Sequence, residues 1–597
     1  MPMKSSKPRC DGRISIFAAL IVFLAGIGIQ ASALVLFQTQ GQAQSEHQDP
    51  VPPQDQAQQR PHGPPRILSA DKWRADLRFL VDKVKTAHRL PFTKTTQEAF
   101  EKAAAGLEAR IPDLSDHDIV VELAALVALL GDGHSRLALP IVRGEAQGRA
   151  HTETPAPADR DLLFRQYPVS FYLFSDGLFI PGAVESHAGY IGAEVVRIGR
   201  LSAADALRAV RRAANVDNET GHTLYGPMLL GLAEVCSALG IVEDMESLPL
   251  LIKDGDGAER EIVVKPLDPL APVTYIQGFE VSEAPSPLWL KNRTDPHWFE
   301  YLPEKRAVFC QVNAIQDKPG ETMAAFASRL ADFIAENPVD RLVLDLRWNG
   351  GGNNYLNRSL ILALIRSPKV NRYGHLFTII GRTTFSAAMN LTTELERWTN
   401  TLFAGEPTGS TPSHFGDARR YTLPNSGLTL RLSSVYWRDW SVNEKRTAIV
   451  PEILVGLTAR EYLGGHDPVL GAILAFEAPE DLAGQLLVAF EQGGFDAAFT
   501  RFFKFRTDPG TAGIDVAADL HRFGQSLLER KKFKEAALVF QQNVADNPES
   551  FEAHLDLGEA YLGAGNMAEA VKSLEKALSL RPGDPRAKQL LDQARSL

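Results

Sequence analysis

The sequence predicts a multidomain α/β protein with a helical N-terminal segment, a β-rich domain, an α/β core and an all-α C-terminal repeat. Three observations support this fold class. The chain has 597 residues, which is enough for several domains. Residues 300–475, within a core predicted to span 275–476, alternate strand-like and helix-like patterns, which is typical of an α/β sheet. A repeat of fixed period ends the sequence, which indicates stacked helical units.

Composition narrows the function classes. Hydrophobic residues make up 44% of the chain and the formal net charge is −10. Because no stretch concentrates Lys and Arg on a long face, we expect no nucleic-acid partner. The three cysteines, Cys10, Cys236 and Cys310, are too few for a disulfide framework, and nothing resembles a structural zinc site. We therefore expect no metal and no other cofactor.

Residues 1–37 predict an export signal. A positively charged stretch, MPMKSSKPRCDGR, precedes residues 14–37, which carry no charge and are long enough to span a bilayer. Ala31-Ser32-Ala33 offers a cleavage pattern, so the segment is either a signal peptide or a retained signal anchor in the membrane. Either alternative predicts an extracytoplasmic protein, periplasmic or secreted. Residues 38–66, rich in Gln and Pro, are expected to be a disordered tether.

Residues 67–145 and 161–270 predict the first two folded parts. In 67–145, apolar residues recur at three- and four-residue intervals, which indicates helices. Residues 161–270 contain two hairpin patterns, FYLFSDGLFI and LLIKDGDGAEREIVV, around a strand–turn–helix segment. This arrangement resembles a PDZ-like domain, which would bind an extended peptide at a sheet edge, although an ordinary β-rich insertion is the alternative.

Residues 275–476 and 480–597 predict the other two parts. VDRLVLDLR and HLFTIIG are almost unbroken apolar runs, which suit strands buried on both faces of a sheet. In the tail, Gly524 and Gly558, and likewise Pro548 and Pro582, are 34 residues apart. That spacing is the tetratricopeptide period, and a degenerate unit at 486–505 is expected before it. Such repeats most often bind a protein partner.

Three motifs in the sequence could carry chemistry. Ser386, in GRTTFSAAMN, lies between a strand pattern and a helix pattern, so it is either a helix cap or an exposed nucleophile. Gly350-Gly351-Gly352 follows a buried strand and could present amides to an oxyanion. His134, in LLGDGHSRLAL, follows a helical segment near a turn, where a single histidine is more often structural.

Together these motifs resemble one family. The order GDGHS, DLRWNGGG, TFSAA, GEPTG (405–409), VPEI and DPVL is similar to that of tail-specific, or C-terminal processing, serine peptidases, especially the branch shared with the tricorn protease core. The resemblance covers about 69–475. It implies an α/β peptidase core, a PDZ-like domain and peptide hydrolysis. It also implies Ser386 as nucleophile, with the Gly351 and Ala387 amides as the oxyanion hole.

The chain departs from this family at the base. Many members use a lysine that follows the serine by 25 residues, and that position here is Thr411. A Ser–Lys dyad is therefore excluded. His134 resembles the tricorn-like base, and His414 is the alternative. A histidine base with its ordinary pKa of about 6.5 predicts activity that rises through about pH 6–7.

The remaining site residues follow from the same comparison. Triad logic requires an acid that orients the base, and Glu444 is the choice by similar spacing, with Asp417 and Glu452 as competitors. We expect His414, Gly350 and Trp437 to contact substrate. The leading interpretation is an exported serine peptidase that acts on peptides or proteins through an acyl-enzyme. The alternatives are a non-catalytic binding scaffold on the same fold, as in a retinoid-binding relative, and an esterase.

Overall fold

The computed structural model describes residues 67–142, 160–271, 273–281, 286–439, 441, 443–508 and 510–596. The predicted export signal, 1–37, and the predicted tether, 38–66, lie outside these ranges. Within them, no helix combines the length and the apolar character that a bilayer crossing requires. Cys236 and Cys310 are both buried as free thiols, so they do not pair with each other.

Three helices form the N-terminal part, as predicted. They are followed by a short strand, and their bounds are α1 (Ala70–Ala87), α2 (Gln97–Arg110), α3 (Asp116–Ala128) and β1 (Arg136–Leu137). Ser69, Thr96 and Ser115 cap the three helices with their side-chain oxygens. The chain leaves α3 through Gly131, whose φ of 59° suits a sharp turn, and so brings the GDGHS segment directly before β1.

The β-rich part is an antiparallel sheet in the order β2-β3-β5-β7-β8, with β6 paired to β5. Its elements are β2 (Tyr172–Phe174), β3 (Gly177–Phe179), β4 (Gly182–Ala183), β5 (Glu194–Ile198), β6 (Leu201–Ser202), α4 (Ala203–Val210), α5 (Glu219–Leu230), α6 (Ala233–Ala238), β7 (Leu248–Lys253), β8 (Glu259–Val264) and β9 (Ile276–Gln277). Both predicted hairpins are present, as β2–β3 and β7–β8. The sheet shares one hydrophobic core with the N-terminal helices.

The core is a six-stranded sheet in the order β10-β11-β12-β13-β14-β17, parallel except for β10. Its elements, with a separate hairpin β15–β16, are α7 (Leu288–Lys291), β10 (His297–Leu302), β11 (Ala307–Val312), α8 (Met323–Glu336), β12 (Arg341–Asp345), α9 (Asn357–Ile365), β13 (Leu376–Ile380), α10 (Ala387–Trp398), β14 (Leu402–Gly405), β15 (His414–Thr422), β16 (Thr429–Trp437), β17 (Ile453–Leu454), α11 (Ala459–Leu463) and α12 (Pro468–Ala475). Since β12 and β13 are parallel neighbours, their carboxyl ends meet at one edge of the sheet, where binding sites of α/β proteins form.

A second, three-stranded sheet brings distant parts of the chain to that same edge. Its order is β1-β16-β15, with Arg136 opposite Arg431 and His414 opposite Trp437. The pairing of β1 with β16 fixes the segment just before β1, which carries His134. The sheet therefore connects the N-terminal helical part to the core.

The C-terminal part is all helical, as predicted: α13 (Leu482–Thr507), α14 (Ala517–Glu529), α15 (Phe533–Asp546), α16 (Phe551–Gly563), α17 (Met567–Leu580) and α18 (Pro585–Ser596). A kink at Gly494, with φ 72°, divides α13 into two segments. The repeat spacing has a packing cause, because a Cβ on Gly524 would lie 2.3 Å from Phe540, and one on Gly558 would lie 2.5 Å from Leu574. These glycines let paired helices approach closely.

Candidate active site

Ser386 lies at the turn between β13 and α10. Its φ of 55° and ψ of −127° are unusual for a residue with a side chain, and such strain is concentrated at functional sites. Its side chain makes no capping hydrogen bond to α10. The helix-cap alternative is therefore wrong, and the hydroxyl is directed elsewhere.

The partner of the Ser386 hydroxyl is His134. The distance from His134 Nε2 to Ser386 Oγ is 2.9 Å, although 252 positions separate the two residues in the chain. A hydroxyl that donates to an unprotonated imidazole nitrogen at this distance has the geometry of a nucleophile and its general base. The structure brings together this predicted pair.

The main chain of His134 is held by the buried carboxylate of Asp132. Its N–H donates to Asp132 Oδ1 at 2.8 Å. Asp132 is fully buried, lies 3.0 Å from His88 Nε2, and accepts the Ser135 hydroxyl at 2.5 Å. On the other side, the His134 ring stacks on Phe385 with 4.4 Å between ring centroids. Asp132 therefore holds the backbone of His134, and Phe385 packs against one face of its imidazole ring.

Electrostatics keep His134 neutral. Burial, followed by the nearby His414 ring, lowers the pKa of His134 to about 3, although Asp132 acts in the opposite direction. The Nδ1 atom is buried and has no hydrogen-bond partner within the described part of the chain. The imidazole is therefore unprotonated at neutral pH, as a base must be.

This environment changes the expected pH dependence. We expect kcat/KM for an ester substrate to stay level from pH 8 down to about pH 5, because the base is protonated only as the pH falls through a folded-state pKa of about 3. The lowered pKa also links to folding: its stabilisation is present above the unfolded pKa of about 6.5 and is lost as the pH falls through the folded value. Initial rates should therefore be compared at pH values where circular dichroism shows native protein. An acid limb centred near pH 6.5 would contradict this expectation and restore the sequence-based prediction of pH 6–7.

His414, the alternative base, lies beside His134 at the start of β15. The two rings are nearly parallel, at 12°, with centroids 6.0 Å apart. Its Nδ1 is 3.2 Å from the Thr411 carbonyl oxygen, and burial lowers its pKa to about 4. No hydrogen bond joins it to Ser386 in the described structure. The geometry therefore favours His134 as the base, with His414 as its neighbour.

The predicted orienting acid, Glu444, is paired with Arg446 in this structure. Its carboxylate accepts the Arg446 backbone N–H at 2.8 Å and pairs with the Arg446 guanidinium, which also binds Glu396 at 2.6 Å. No hydrogen bond connects Glu444 to His134. The strong charge-assisted pairing with Arg446 is the physical reason, because it satisfies the carboxylate locally.

The two competing acids are also occupied. Asp417 accepts the Trp437 indole N–H at 2.8 Å. Glu452 accepts the Phe403 N–H at 2.7 Å, at the amino end of β14 and so at the opposite edge of the sheet from Ser386. Trp437, predicted to contact substrate, pairs in register with His414 at the end of β16. None of the three candidate acids bonds His134 here.

The glycine loop after β12 lies directly against Ser386. A Cβ on Gly351, whose φ is 109°, would be 2.7 Å from Ser386 Cβ and 3.0 Å from Ala387 N. The Gly351 N–H, however, donates to Asn349 Oδ1 at 2.9 Å. For the Ala387 N–H, no acceptor is found among the described residues. The predicted oxyanion site is thus half formed: Ala387 offers a donor, Gly351 is engaged, and Gly350 is exposed nearby.

The structure also identifies residues that sequence reasoning missed. Asp217, from the β-rich part, accepts the Gly133 N–H at 2.7 Å, beside the predicted base. Phe385 stacks on His134, and Asp132 holds its backbone. Asp132 could have been found from its place in the GDGHS motif, whereas the sequence around Asp217 contains no signature of a site.

A cavity of about 760 Å³ lies behind the His134 loop, with Gly131, Asp217, His222 and Thr447 among its lining residues. In the described part of the chain, no group of three or more His, Cys, Asp or Glu side chains is arranged to hold a metal ion. The groups that the structure brings together at this site are a serine hydroxyl, an imidazole and the backbone amide of Ala387.

A tetratricopeptide repeat family model matches residues 527–594, which confirms the predicted repeat. None of the curated protein sequences matches the chain.

Among solved structures, the chain is similar to mature CPAF complexed with lactacystin, at 12% identity and a TM-score of 0.48, over 68% of this chain and 99% of that one. It is similar to the photosystem II D1 C-terminal processing protease at 13% identity and a TM-score of 0.31, over 64% and 93% of the two chains. It is also similar to the tricorn protease, at 13% and 0.32, over 68% of this chain and 36% of that one.

Proposed function

We propose that this protein is a serine peptidase of the tail-specific type, in which Ser386 is the nucleophile and His134 the general base. The observation that carries the proposal is the 2.9 Å contact between His134 Nε2 and Ser386 Oγ at a strained strand-to-helix turn. A strained serine whose side chain caps no helix, and whose hydroxyl lies within hydrogen-bond distance of a neutral, half-buried imidazole, is poised for nucleophilic attack.

The reaction would proceed in two halves. Ser386 Oγ attacks the carbonyl carbon of the scissile peptide bond while its proton passes to His134 Nε2. The C–N bond then breaks, the imidazolium returns that proton to the leaving amine, and an acyl-enzyme remains. Water, deprotonated by His134, attacks the acyl carbon, and the proton returns to Ser386 as the acid product leaves.

Charge on the developing oxyanion needs donors. The Ala387 N–H lies at the start of α10 with no acceptor in the described structure, so it is well suited to this role. The Gly351 N–H would need to leave Asn349 Oδ1 to become the second donor. Glu444 as orienting acid remains part of the proposal, and it requires release of its carboxylate from Arg446.

Active-site labelling tests the proposed function. A fluorophosphonate probe should modify the protein, and Ser386→Ala should abolish the modification, because only an activated hydroxyl displaces the fluoride. Mass spectrometry of the labelled peptide gives the position. Wild-type protein that is folded and remains unlabelled would contradict the proposal.

A non-catalytic binding scaffold is the second candidate. Two observations favour it: the Gly351 amide is already satisfied, and none of the predicted acids bonds His134. The tetratricopeptide repeat fits a protein-binding role equally well. The PDZ-like interpretation of residues 161–270 would add a peptide-binding sheet edge to either candidate. Labelling at Ser386 separates them, since a binding module has no reason to activate a serine.

We also propose that the protein acts outside the cytoplasm. The charged N-terminus and the uncharged segment 14–37 support export, with or without retention as a membrane anchor. Alkaline phosphatase fused after Arg66 should be active, because that reporter folds to its active form only after export. A silent fusion, in cells where the same fusion with a known export signal is active, would contradict the localisation.

A further inference from the structure

We propose that Asp217 is a positioning residue for the general base: it holds the loop that carries His134 at its working distance from Ser386. This inference rests on the proposed serine peptidase function. Asp217 belongs to the β-rich part of the chain, in the segment just before α5. Neither its sequence context nor the resemblance assigns it a role.

The first supporting observation is the double contact of its carboxylate. Oδ1 accepts the Gly133 N–H at 2.7 Å, and Oδ2 accepts the Ser410 hydroxyl at 2.5 Å. The loop that carries His134, residues 131–135, is called the base loop below. Two of its successive backbone amides donate to two different carboxylates, Gly133 to Asp217 and His134 to Asp132. The position of the loop is fixed by both.

The second observation is how tightly Gly133 is enclosed. A Cβ at Gly133 would lie 2.8 Å from the Phe385 ring and 3.2 Å from Asp217 Oδ1. Phe385 directly precedes Ser386, and its ring stacks on His134. The loop is thus pressed between Asp217 on one side and the nucleophile turn on the other, so loss of Asp217 would let it move away from Ser386.

The third observation concerns the neighbouring residue. The Asn218 side-chain amide donates to the carbonyls of Thr408 at 2.9 Å and Thr447 at 2.7 Å, while its oxygen caps α5. Asp217 and Asn218 therefore tie one helix end to the base loop, to the 408–410 segment and to the 447 segment. In the described structure no hydrogen bond joins either side chain to Ser386. The two residues therefore support the position of the site and do not act on Ser386 directly.

The surroundings of Asp217 explain which substitution preserves its bonds. Burial, and then the nearby Asp132, raise the pKa of Asp217 to about 7, while the bonds from Ser410 and Gly133 and the charge of Lys94 act in the opposite direction. Both the ionised and the neutral acid can keep both contacts. An asparagine side chain at this position could do the same, because its oxygen accepts from Gly133 and its NH₂ can donate to Ser410 Oγ.

The test compares Asp217→Ala, Asp217→Asn and a matched control, Glu219→Gln. Glu219 lies two residues away on the same cavity wall and is paired with Arg211 at the surface. With an ester substrate at pH 8, we expect D217A to lower kcat by about 10- to 100-fold with KM within about twofold, as small misplacements of catalytic groups do. D217N should recover most of the loss, and E219Q should behave as wild type.

A second readout does not depend on activity. In protein labelled with ¹³C and ¹⁵N in histidine, the His134 ring resonances, assigned by their loss in His134→Ala, should shift in D217A and not in E219Q. The shift is expected because the ring stacks on Phe385 and would move relative to it. Thermal unfolding of each variant confirms that the native state is compared.

The outcomes are distinct. If wild type labels at Ser386 but folded D217A keeps both its wild-type kcat and its His134 resonances, the positioning role is overturned. If D217A raises KM and leaves kcat unchanged, Asp217 serves substrate binding and the inference is equally wrong. If folded wild type does not label, the peptidase proposal fails, and an unshifted His134 spectrum in D217A would then overturn the positional inference as well.

A second pair of variants decides the question if D217A does not fold. The kcat and the His134 spectrum are then compared between D217N and Ser410→Ala. A loss of kcat in S410A that D217N does not show supports the proposal, and wild-type behaviour of S410A overturns it.

Discussion

Replacement of His134 by alanine is expected to slow hydrolysis of an ester substrate by on the order of 10⁴-fold or more, about as much as Ser386→Ala slows it. The physical reason is the 2.9 Å contact between His134 Nε2 and Ser386 Oγ. Without that imidazole, no group accepts the hydroxyl proton as the new C–O bond forms. Because the two residues act as a unit, the double variant should be no slower than either single variant. Hydrolysis of an activated ester compares all the variants, and single-turnover acylation of wild type and H134A gives the rate of the first step directly.

His414→Ala provides the control for the neighbouring imidazole. Its ring lies 6.0 Å from that of His134 and makes no bond to Ser386, so we expect its loss to raise KM and to change the acylation rate constant little. Native folding should be verified for His134→Ala and for His414→Ala, because the two rings pack beside each other at the site. If H134A acylates normally and H414A fails, the base is His414 and the assignment is wrong.

Gly351→Ala is expected to lower the acylation rate by about 10²-fold, which is the scale of the loss when a catalytic group is misplaced by about 1 Å. The new Cβ would lie 2.7 Å from Ser386 Cβ and 3.0 Å from the Ala387 nitrogen, so the nucleophile or the loop must shift. The φ of 109° adds backbone strain of about 1–3 kcal/mol for a residue with a side chain. Acylation kinetics and denaturant unfolding together separate the two effects.

A glycine that also has a positive φ, but makes no contact with the site, supplies the comparison. Gly427, in the turn between β15 and β16, has φ 70°, and a Cβ there would meet no atom within 4 Å. Gly427→Ala should cost stability and leave the acylation rate near wild type. Equal rate losses in both variants would mean that general destabilisation, rather than contact with Ser386, accounts for the effect of Gly351.

Residues placed by strand ends were predictable from the sequence. Ser386 and Gly351 each follow an apolar run, and such runs become neighbouring parallel strands whose carboxyl ends coincide. His134 was predictable only through the family motif, because its approach to Ser386 depends on the pairing of β1 with β16, which no local pattern encodes. The mixed α/β class and the C-terminal repeat were confirmed because they rest on periodicity.

The acid and the oxyanion donors could not be predicted in the same way. Spacing suggested Glu444, but the position of that carboxylate is decided by competition with Arg446, two residues along the chain. The Gly351 amide was expected to be available, and the Asn349 side chain satisfies it instead. Asp217 was missed because it reaches the site from the β-rich part, by a chain path that only the folded structure reveals. The spacing of motifs does not show which neighbouring group will take a hydrogen-bond partner. It also does not show which distant residue the folded chain will bring to the site.

If Ser386 and His134 react as proposed, their wide separation in the chain has a consequence for biosynthesis. The proposed base is made 252 residues before the proposed nucleophile, and β16, which fixes the loop that carries His134, is made after both. A chain still emerging from the ribosome therefore contains an imidazole with no serine to activate, and then a serine whose imidazole is not yet anchored. Proteolytic competence would arise only when synthesis has passed β16 and the whole core has closed, so the nascent chain would be protected from cutting itself or its neighbours by the order in which its parts are made.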